Sequence, residues 1–133
     1  MESNVTVIIP AIKNSDILKH TIAKCLDLKC KVKLIVVTDD NTNRHFENDS
    51  RVEYIIVNPG LNMSTKRNLA VKNTDSEYIV FFDSDSYPAN PDVGLCAINI
   101  LNSDSGIICM TAHLGNWEMI IPIINKYKKA TAI

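Results

Sequence analysis

The feature that most constrains the fold is a series of short, nearly all-apolar segments that alternate with amphipathic ones. The apolar segments are residues 5–9, 32–37, 52–57, 78–82 and 106–111. Short apolar runs rich in β-branched residues are typical of strands that are buried on both faces. The intervening segments carry apolar residues at helical spacing. This alternation predicts an α/β domain with a mainly parallel sheet and helices on both of its faces.

Local signals place the starts of the helices. Ser15 or Asn14 is the expected N-cap of a helix over residues 16–28, and Ser64 that of a helix ending near residue 73. A third helix start is indicated by Asn90 as N-cap and Pro91 at the first helical position.

Composition narrows the class of protein. The chain has 133 residues and a net charge of -1, so we expect one compact domain that does not bind nucleic acid as its main partner. No apolar run is long enough to span a membrane, and no signal peptide is recognisable, which predicts a cytoplasmic protein without evident membrane contact. The apolar C-terminus, residues 130–133, is typical of a strand start, so we expect the chain to be part of something longer.

Polar residues follow three of the expected strands at the point where each strand ends. Asp39 and Asp40 follow the second strand, Asn58 follows the third, and Asp83 and Asp85 follow the fourth. Ligands of parallel sheets bind at the carboxyl ends of the strands. The sequence therefore predicts a ligand site at this edge of the sheet.

Asp83 and Asp85 are the strongest candidates for metal ligands. They are two positions apart after an apolar run, so in an extended segment their side chains point to the same side. Two close carboxylates repel each other unless a cation lies between them. Their hard oxygen atoms are suitable ligands for Mg²⁺ or Mn²⁺, and these ions also bind substrate phosphates. The alternative is a solvated turn with two incidental aspartates.

The other polar groups are candidates for contacts with a nucleotide. Asp39 or Asp40 offers a carboxylate that accepts the N3–H of uracil, and for either residue the alternative is a capping role in a turn. Lys66 and Arg67 follow the Gly60 loop at a helix start, where a ligand anion would offset their charge. The alternative for these two residues is a pair of solvated surface charges, and for Arg67 the functional interpretation is favoured.

Taken together, these motifs resemble family 2 of the glycosyltransferases, which are inverting GT-A enzymes that use nucleotide sugars. The resemblance covers residues 5–105, and its motifs are residues 5–10, 39–40, 60 with 66–68, and 76–85 with 88. It implies that the chain binds a nucleotide-diphosphate sugar, with a UDP-sugar favoured, for transfer to an unknown acceptor. The implied nucleotide-binding residues are Pro10, Asp39, Asp40, Asn58, Gly60, Lys66, Arg67 and Asp83, and the implied metal ligands are Asp83 and Asp85.

Two departures from the family pattern matter. Asn41 and Thr42 follow the aspartates where the family usually has glycine and serine, which leaves open which acid contacts the base. The acceptor half, with its general-base carboxylate, is expected beyond residue 133, so we expect the isolated chain to be inactive.

A second resemblance concerns residues 106–133. The run from His113 to Glu118 is similar to the first motif of the lipid A-type lauroyl acyltransferases, in which His113 and Glu118 would form a catalytic pair. We therefore expect a GT-A-like domain over residues 1–105. Residues 106–133 either complete its sheet with a strand and a helix or begin an acyltransferase-like module.

Two other functions are compatible with parts of the sequence. One is a non-catalytic nucleotide-sugar-binding part of a bifunctional glycosyltransferase and acyltransferase. The other is a phosphatase of the haloacid dehalogenase type, whose Asp-x-Asp motif normally ends the first strand, whereas here it ends the fourth.

Overall fold

A computed structural model describes residues 4–88, 91, 92, 98 and 102 of the chain. The elements in chain order are β1 (Asn4–Ala11), α1 (Asp16–Leu26), β2 (Lys31–Thr38), β3 (Val52–Ile56), α2 (Met63–Val71) and β4 (Tyr78–Phe81). The strands form one four-stranded sheet in the order β3-β2-β1-β4, and every neighbouring pair is parallel. The predicted α/β class with a parallel sheet is confirmed.

The strand order explains why the two helices lie on opposite faces of the sheet. The chain passes from β1 to β2 and then to β3 in one direction, and it returns past β1 to reach β4. Because parallel crossovers are right-handed, the reversal of direction puts α1 on one face and α2 on the other. The order also reverses between β1 and β4, and ligands of open α/β sheets bind in the crevice at such a point.

The core lies on both faces of the central strands. Beneath α2, the side chains of Ile8, Ile35 and Val37 form a buried cluster with Ala70. Alternate residues of the same strands point to the opposite face, where α1 packs. The buried residues of that helix are Leu18, Thr21, Ile22 and Cys25.

Pro10 marks the point where β1 and β4 separate. Phe82 donates its backbone N–H to the Ile8 carbonyl oxygen at 3.1 Å, so Ile8 and, two residues on, Pro10 face β4. Proline has no N–H to donate, which removes the next bond of the ladder. The pairing between β1 and β4 reaches only Ile8, while β1 stays paired with β2 as far as Ala11. The missing donor thus coincides with the end of the pairing between β1 and β4.

The helix caps agree with the sequence in one case and correct it in the other. Ser15 caps α1, because its hydroxyl accepts the Leu18 N–H at 3.2 Å, as predicted. The predicted cap Ser64 is wrong. Asn62 caps α2 instead, and its Oδ1 accepts the Thr65 N–H at 2.8 Å. Asn62 has the extended backbone of a cap, whereas Ser64 lies in the first helical turn.

The chain divides into two compact units, Met1–Pro91 and Asp92–Ile133. In the second unit, Ile98 and Asn102 are helical. The predicted fifth strand, residues 106–111, and the motif residues His113 and Glu118 lie outside the described residues. The predicted domain boundary after residue 105 stays a prediction. No helix in the described ranges has the length and apolarity needed to cross a membrane.

Candidate functional site

Lys66 joins three elements at the carboxyl edge of the sheet. Its side chain is 0% exposed, and its Nζ lies 2.8 Å from Oδ1 of Asp39, directly after β2. The same ammonium donates a hydrogen bond to the carbonyl oxygen of Ala11, the last residue of β1, at 2.7 Å. Lys66 is therefore not a solvated surface charge. The ammonium is buried against Asp39, and the direct nucleotide contact expected for Lys66 from the sequence stays a prediction.

Asp40 differs from Asp39 because both oxygens of its carboxylate accept hydrogen bonds from other residues of the chain. Oδ2 accepts the backbone N–H of Asn14 at 3.0 Å, and Oδ1 accepts both the backbone N–H and the hydroxyl of Thr42, at 2.9 and 2.6 Å. The bond from the Thr42 hydroxyl, followed by the backbone bonds from Asn14 and Thr42, lowers the pKa of Asp40. Asp40 therefore stabilises the loop after β2, which is the capping role considered for it.

Asp39 keeps acceptor capacity for a ligand. Its side chain is 14% exposed, and its ionic contact with Lys66 involves Oδ1 alone. Among the described residues, no group donates a hydrogen bond to Oδ2, and Oδ1 meets the ammonium without an aligned hydrogen bond. Of the two aspartates after β2, Asp39 is thus the one with a carboxylate oxygen that accepts no hydrogen bond from the described residues.

Arg67, the next residue of α2, pairs with the aspartate at the end of β4. Its Nη2 lies 2.9 Å from Oδ1 of Asp83, and the two side chains are 28% and 65% exposed. Arg67 Nε is buried and has no hydrogen-bond partner in the part of the chain that the structure describes. Consecutive residues of one helix therefore hold the carboxylates at the ends of β2 and β4, and Arg67 retains a donor.

The turn that carries Asp83 and Asp85 is anchored by α1. The backbone N–H of Ser86 donates to the Asp83 carbonyl oxygen at 3.1 Å, and the Thr21 hydroxyl donates to the Ser84 carbonyl oxygen at 2.9 Å. One residue before Thr21, the His20 ring packs edge-on against Tyr87 with centroids 4.9 Å apart. Sequence reasoning missed both anchors, because nothing near Thr21 or His20 in the chain indicates a partner more than sixty residues away.

The remaining predicted residues lie around this edge without a demonstrated role. Asn58 and Gly60 are exposed in the loop before α2, and Gly60 has a φ of +98°, a left-handed conformation that favours glycine. Asp85 is exposed. Pro10 is buried.

The carboxylates present are compatible with a metal shared with a ligand. Within the described ranges there is no group of three or more His, Cys, Asp or Glu residues that could hold a metal ion. Mg²⁺ is commonly bound by one or two carboxylates together with substrate phosphates and waters. Asp83 and Asp85 lie in a turn after β4 and not in an extended segment, and their role as metal ligands stays a prediction.

Comparisons with known proteins bear on the family and the fold. The model of the family "Glycosyl transferase family 2" matches residues 6–121. The fold is similar to that of S. aureus TarS, with a TM-score of 0.61 and 18% identity over 85% of this chain and 22% of that one. It is also similar to the mannosyltransferase PcManGT from Pyrobaculum calidifontis, solved with GDP-Man and Mn2+, with a TM-score of 0.69 and 16% identity over 85% of this chain and 36% of that one.

The likeness to these glycosyltransferases confirms the GT-A-like fold class. The chain spans well under half the length of either solved relative. No curated protein matched the sequence.

Proposed function

Because the chain belongs to family 2 of the glycosyl transferases, we propose that it binds a nucleotide-diphosphate sugar through a divalent cation and serves sugar transfer to an acceptor. The observation that carries this proposal is the pairing of Arg67 with the exposed Asp83, next to Asp85. Asp83 and Asp85 would supply carboxylate oxygens to a cation, and Arg67 would supply hydrogen bonds to phosphate oxygens of a metal-bound diphosphate.

Asp83 and Asp85 are the proposed ligands of Mn²⁺ or Mg²⁺. A bound cation would offset the charge that develops on the nucleoside diphosphate as it leaves the sugar. Arg67 would contribute in the same direction through the exposed part of its guanidinium, since its side chain is 28% exposed beside Asp83. The Mn²⁺ in the Pyrobaculum mannosyltransferase is consistent with this assignment.

Asp39 is the proposed reader of the base, and UDP-sugars are the proposed donors. A carboxylate oxygen without a hydrogen-bond donor at the end of β2 accepts the N3–H of uracil, whereas cytosine has an acceptor at that position. Pairing an acceptor with an acceptor leaves both groups unsatisfied, which costs about 1–3 kcal/mol. UDP is therefore expected to bind more tightly than CDP.

The proposal includes inversion at the sugar carbon, as expected from the resemblance to family 2. Inversion requires a carboxylate on the acceptor side, opposite the leaving diphosphate. No acidic residue in the described ranges is assigned that role, and the acceptor is not identified. The pair His113 and Glu118 stays a prediction from the sequence.

The test measures binding of UDP by calorimetry with and without Mn²⁺. We expect Mn²⁺ to tighten binding by at least ~10-fold, equivalent to about 1.4 kcal/mol. Asp85→Asn should remove most of this metal dependence, because the amide is a weaker ligand for a hard cation. The melting temperature should not change, since Asp85 is exposed.

Asp75→Asn is the matched control. Asp75 is also exposed but precedes β4, at the opposite end of that strand from Asp85. Its substitution should leave both the affinity and the metal dependence unchanged. Equal affinity for UDP with and without Mn²⁺ in the unmodified chain would contradict the metal-dependent donor site.

A further inference from the structure

The ion pair between Lys66 and Asp39 makes the two oxygens of the Asp39 carboxylate unequal. Oδ1 is buried 2.8 Å from the ammonium and is closed to a ligand, whereas Oδ2 accepts no hydrogen bond from the described residues. Lys66 is itself held in place by its hydrogen bond to the Ala11 carbonyl oxygen and by the full burial of its side chain. A free carboxylate rotates and interchanges its oxygens, but this one has one oxygen fixed against a charge.

Resting on the proposed function, we propose that Lys66 determines base specificity by leaving Asp39 a single acceptor oxygen for the nucleobase. The site would then select a base that presents one N–H donor at its pairing edge. Lys66 acts as a positioning residue, since it is 0% exposed and contacts Asp39 instead of the ligand.

The chemistry of the bases shows which ligand such a site favours. Uracil presents one donor, N3–H, between two carbonyl oxygens. Guanine presents N1–H and the N2 amine side by side, which match the two oxygens of an unobstructed carboxylate, as in other bidentate pairs. With Oδ1 occupied by Lys66, the guanine amine would be left unpaired. Leaving a buried polar group unpaired lowers affinity by about 5- to 150-fold.

Asp39→Asn gives the sharpest test because the amide has two different ends. The ammonium of Lys66 attracts the amide oxygen and repels the amino group, so Nδ2 takes the position of Oδ2. The site then offers a donor, which matches the N3 acceptor of cytosine and not the N3–H of uracil. We expect calorimetry with Mn²⁺ to show tighter binding of UDP than of CDP in the unmodified chain, and the reverse order in Asp39→Asn.

The outcomes separate this inference from the function on which it rests. A similar loss of UDP and CDP affinity in Asp39→Asn would mean that Lys66 does not orient the side chain, which overturns the inference but keeps Asp39 at the base. Unchanged affinities for both nucleotides would remove Asp39 from the base site, which overturns this inference and the proposed base-reading role of Asp39 but leaves the metal-dependent donor site standing. Asp40→Asn is the matched control and should preserve the order of UDP over CDP, because its carboxylate is bound to Asn14 and Thr42.

Lys66→Met tests the same inference by changing the ion-pair partner of Asp39 instead of Asp39 itself. Without the ammonium, no charge holds Oδ1 in its buried position, so the carboxylate is free to rotate and present both oxygens to guanine. The affinity for GDP should then rise relative to that for UDP by about 5-fold or more. An unchanged ratio in a folded Lys66→Met chain would overturn the inference.

A measurement on the unmodified chain covers the case in which a variant does not fold. The ¹H–¹⁵N signal of the Lys66 ammonium should shift when UDP and Mg²⁺ are added, because the base N–H donates a hydrogen bond to the same Asp39 carboxylate that contacts the ammonium. N3-methyl-UDP, which lacks that N–H, should shift the signal less. Equal shifts from the two nucleotides would contradict the proposed link between Lys66 and the base.

Discussion

Lys66→Met should destabilise the fold strongly, although it removes a charge from the interior. The substitution leaves Asp39 Oδ1 buried without its ion-pair partner and takes the hydrogen-bond donor from the Ala11 carbonyl oxygen. Methionine matches much of the apolar stem of lysine, so the packing beneath α2 changes little. The predicted effect therefore comes from the two groups that lose their partner.

The structure sets the magnitude of this effect. Removing one partner of a buried ion pair costs about 3–5 kcal/mol. Asp39 is 14% exposed and keeps some contact with water, so the cost should lie near the lower end, at about 3 kcal/mol. For a chain of this size, 1 kcal/mol changes the melting temperature by roughly 3–4 °C. We expect a decrease of about 10 °C.

The assay is thermal and urea unfolding followed by circular dichroism for Lys66→Met, Asp39→Leu and the double variant. Replacing both partners of a buried pair by apolar residues is often nearly neutral. The double variant should therefore be more stable than the sum of the single effects implies, with a coupling energy of about 2 kcal/mol or more. Lys19→Met, the same change at an exposed position of α1, is the control and should alter stability by less than about 0.5 kcal/mol.

Two results would refute this reasoning. A loss below about 1 kcal/mol for Lys66→Met would mean that the pair contributes no more than an exposed one. Additive effects in the double variant would mean that Lys66 and Asp39 do not stabilise each other.

Two further predictions follow from the other carboxylates. Arg67→Gln should weaken the binding of UDP in the presence of Mn²⁺. It should strengthen the binding of Mn²⁺ alone by about two- to five-fold, because it removes a positive charge from the exposed Asp83. Equal affinity for Mn²⁺ in the variant and the unmodified chain would contradict this prediction. Hydrogen bonds from Thr42 and Asn14 lower the pKa of Asp40 from its usual 3.8, so its contribution to stability is present above that pH and is lost as the pH falls through the lowered pKa. The stability difference between Asp40→Asn and the unmodified chain should therefore narrow below about pH 4, and a constant difference from pH 7 to pH 3 would show that the carboxylate is not the cause.

The arrangement of strands and helices could be predicted from the sequence because it depends on local patterns. Runs such as residues 5–9 and 32–37 are β-branched and almost entirely apolar, which is the pattern of central strands in a parallel sheet. Ser15 could be identified as a cap because the donor it accepts, the Leu18 N–H, is three residues away. Asn62 was missed because Ser64, a residue of the same capping class, stands two positions later.

The edge of the sheet that carries the candidate site was also determined by the sequence. Asp39, Asp40, Asp83 and Asp85 follow apolar runs, and the carboxyl ends of parallel strands necessarily meet at one edge. The roles within that edge were not determined, because Asp39 and Asp40 are identical in chemistry and adjacent in the chain. Their difference arises from their partners, which are Lys66 for Asp39 and Asn14 with Thr42 for Asp40.

Only the tertiary structure decided what Lys66 does. From the sequence it is one of two adjacent cations at a helix start, where a solvated side chain and a ligand contact were both reasonable. The packing of α2 on the sheet turns this position inward, and the long side chain reaches the ends of β1 and β2. Its bond to Ala11 spans 55 residues of sequence, as the bond from Thr21 to Ser84 spans 63. Such contacts depend on how distant segments are brought together, and no local pattern of residues specifies them.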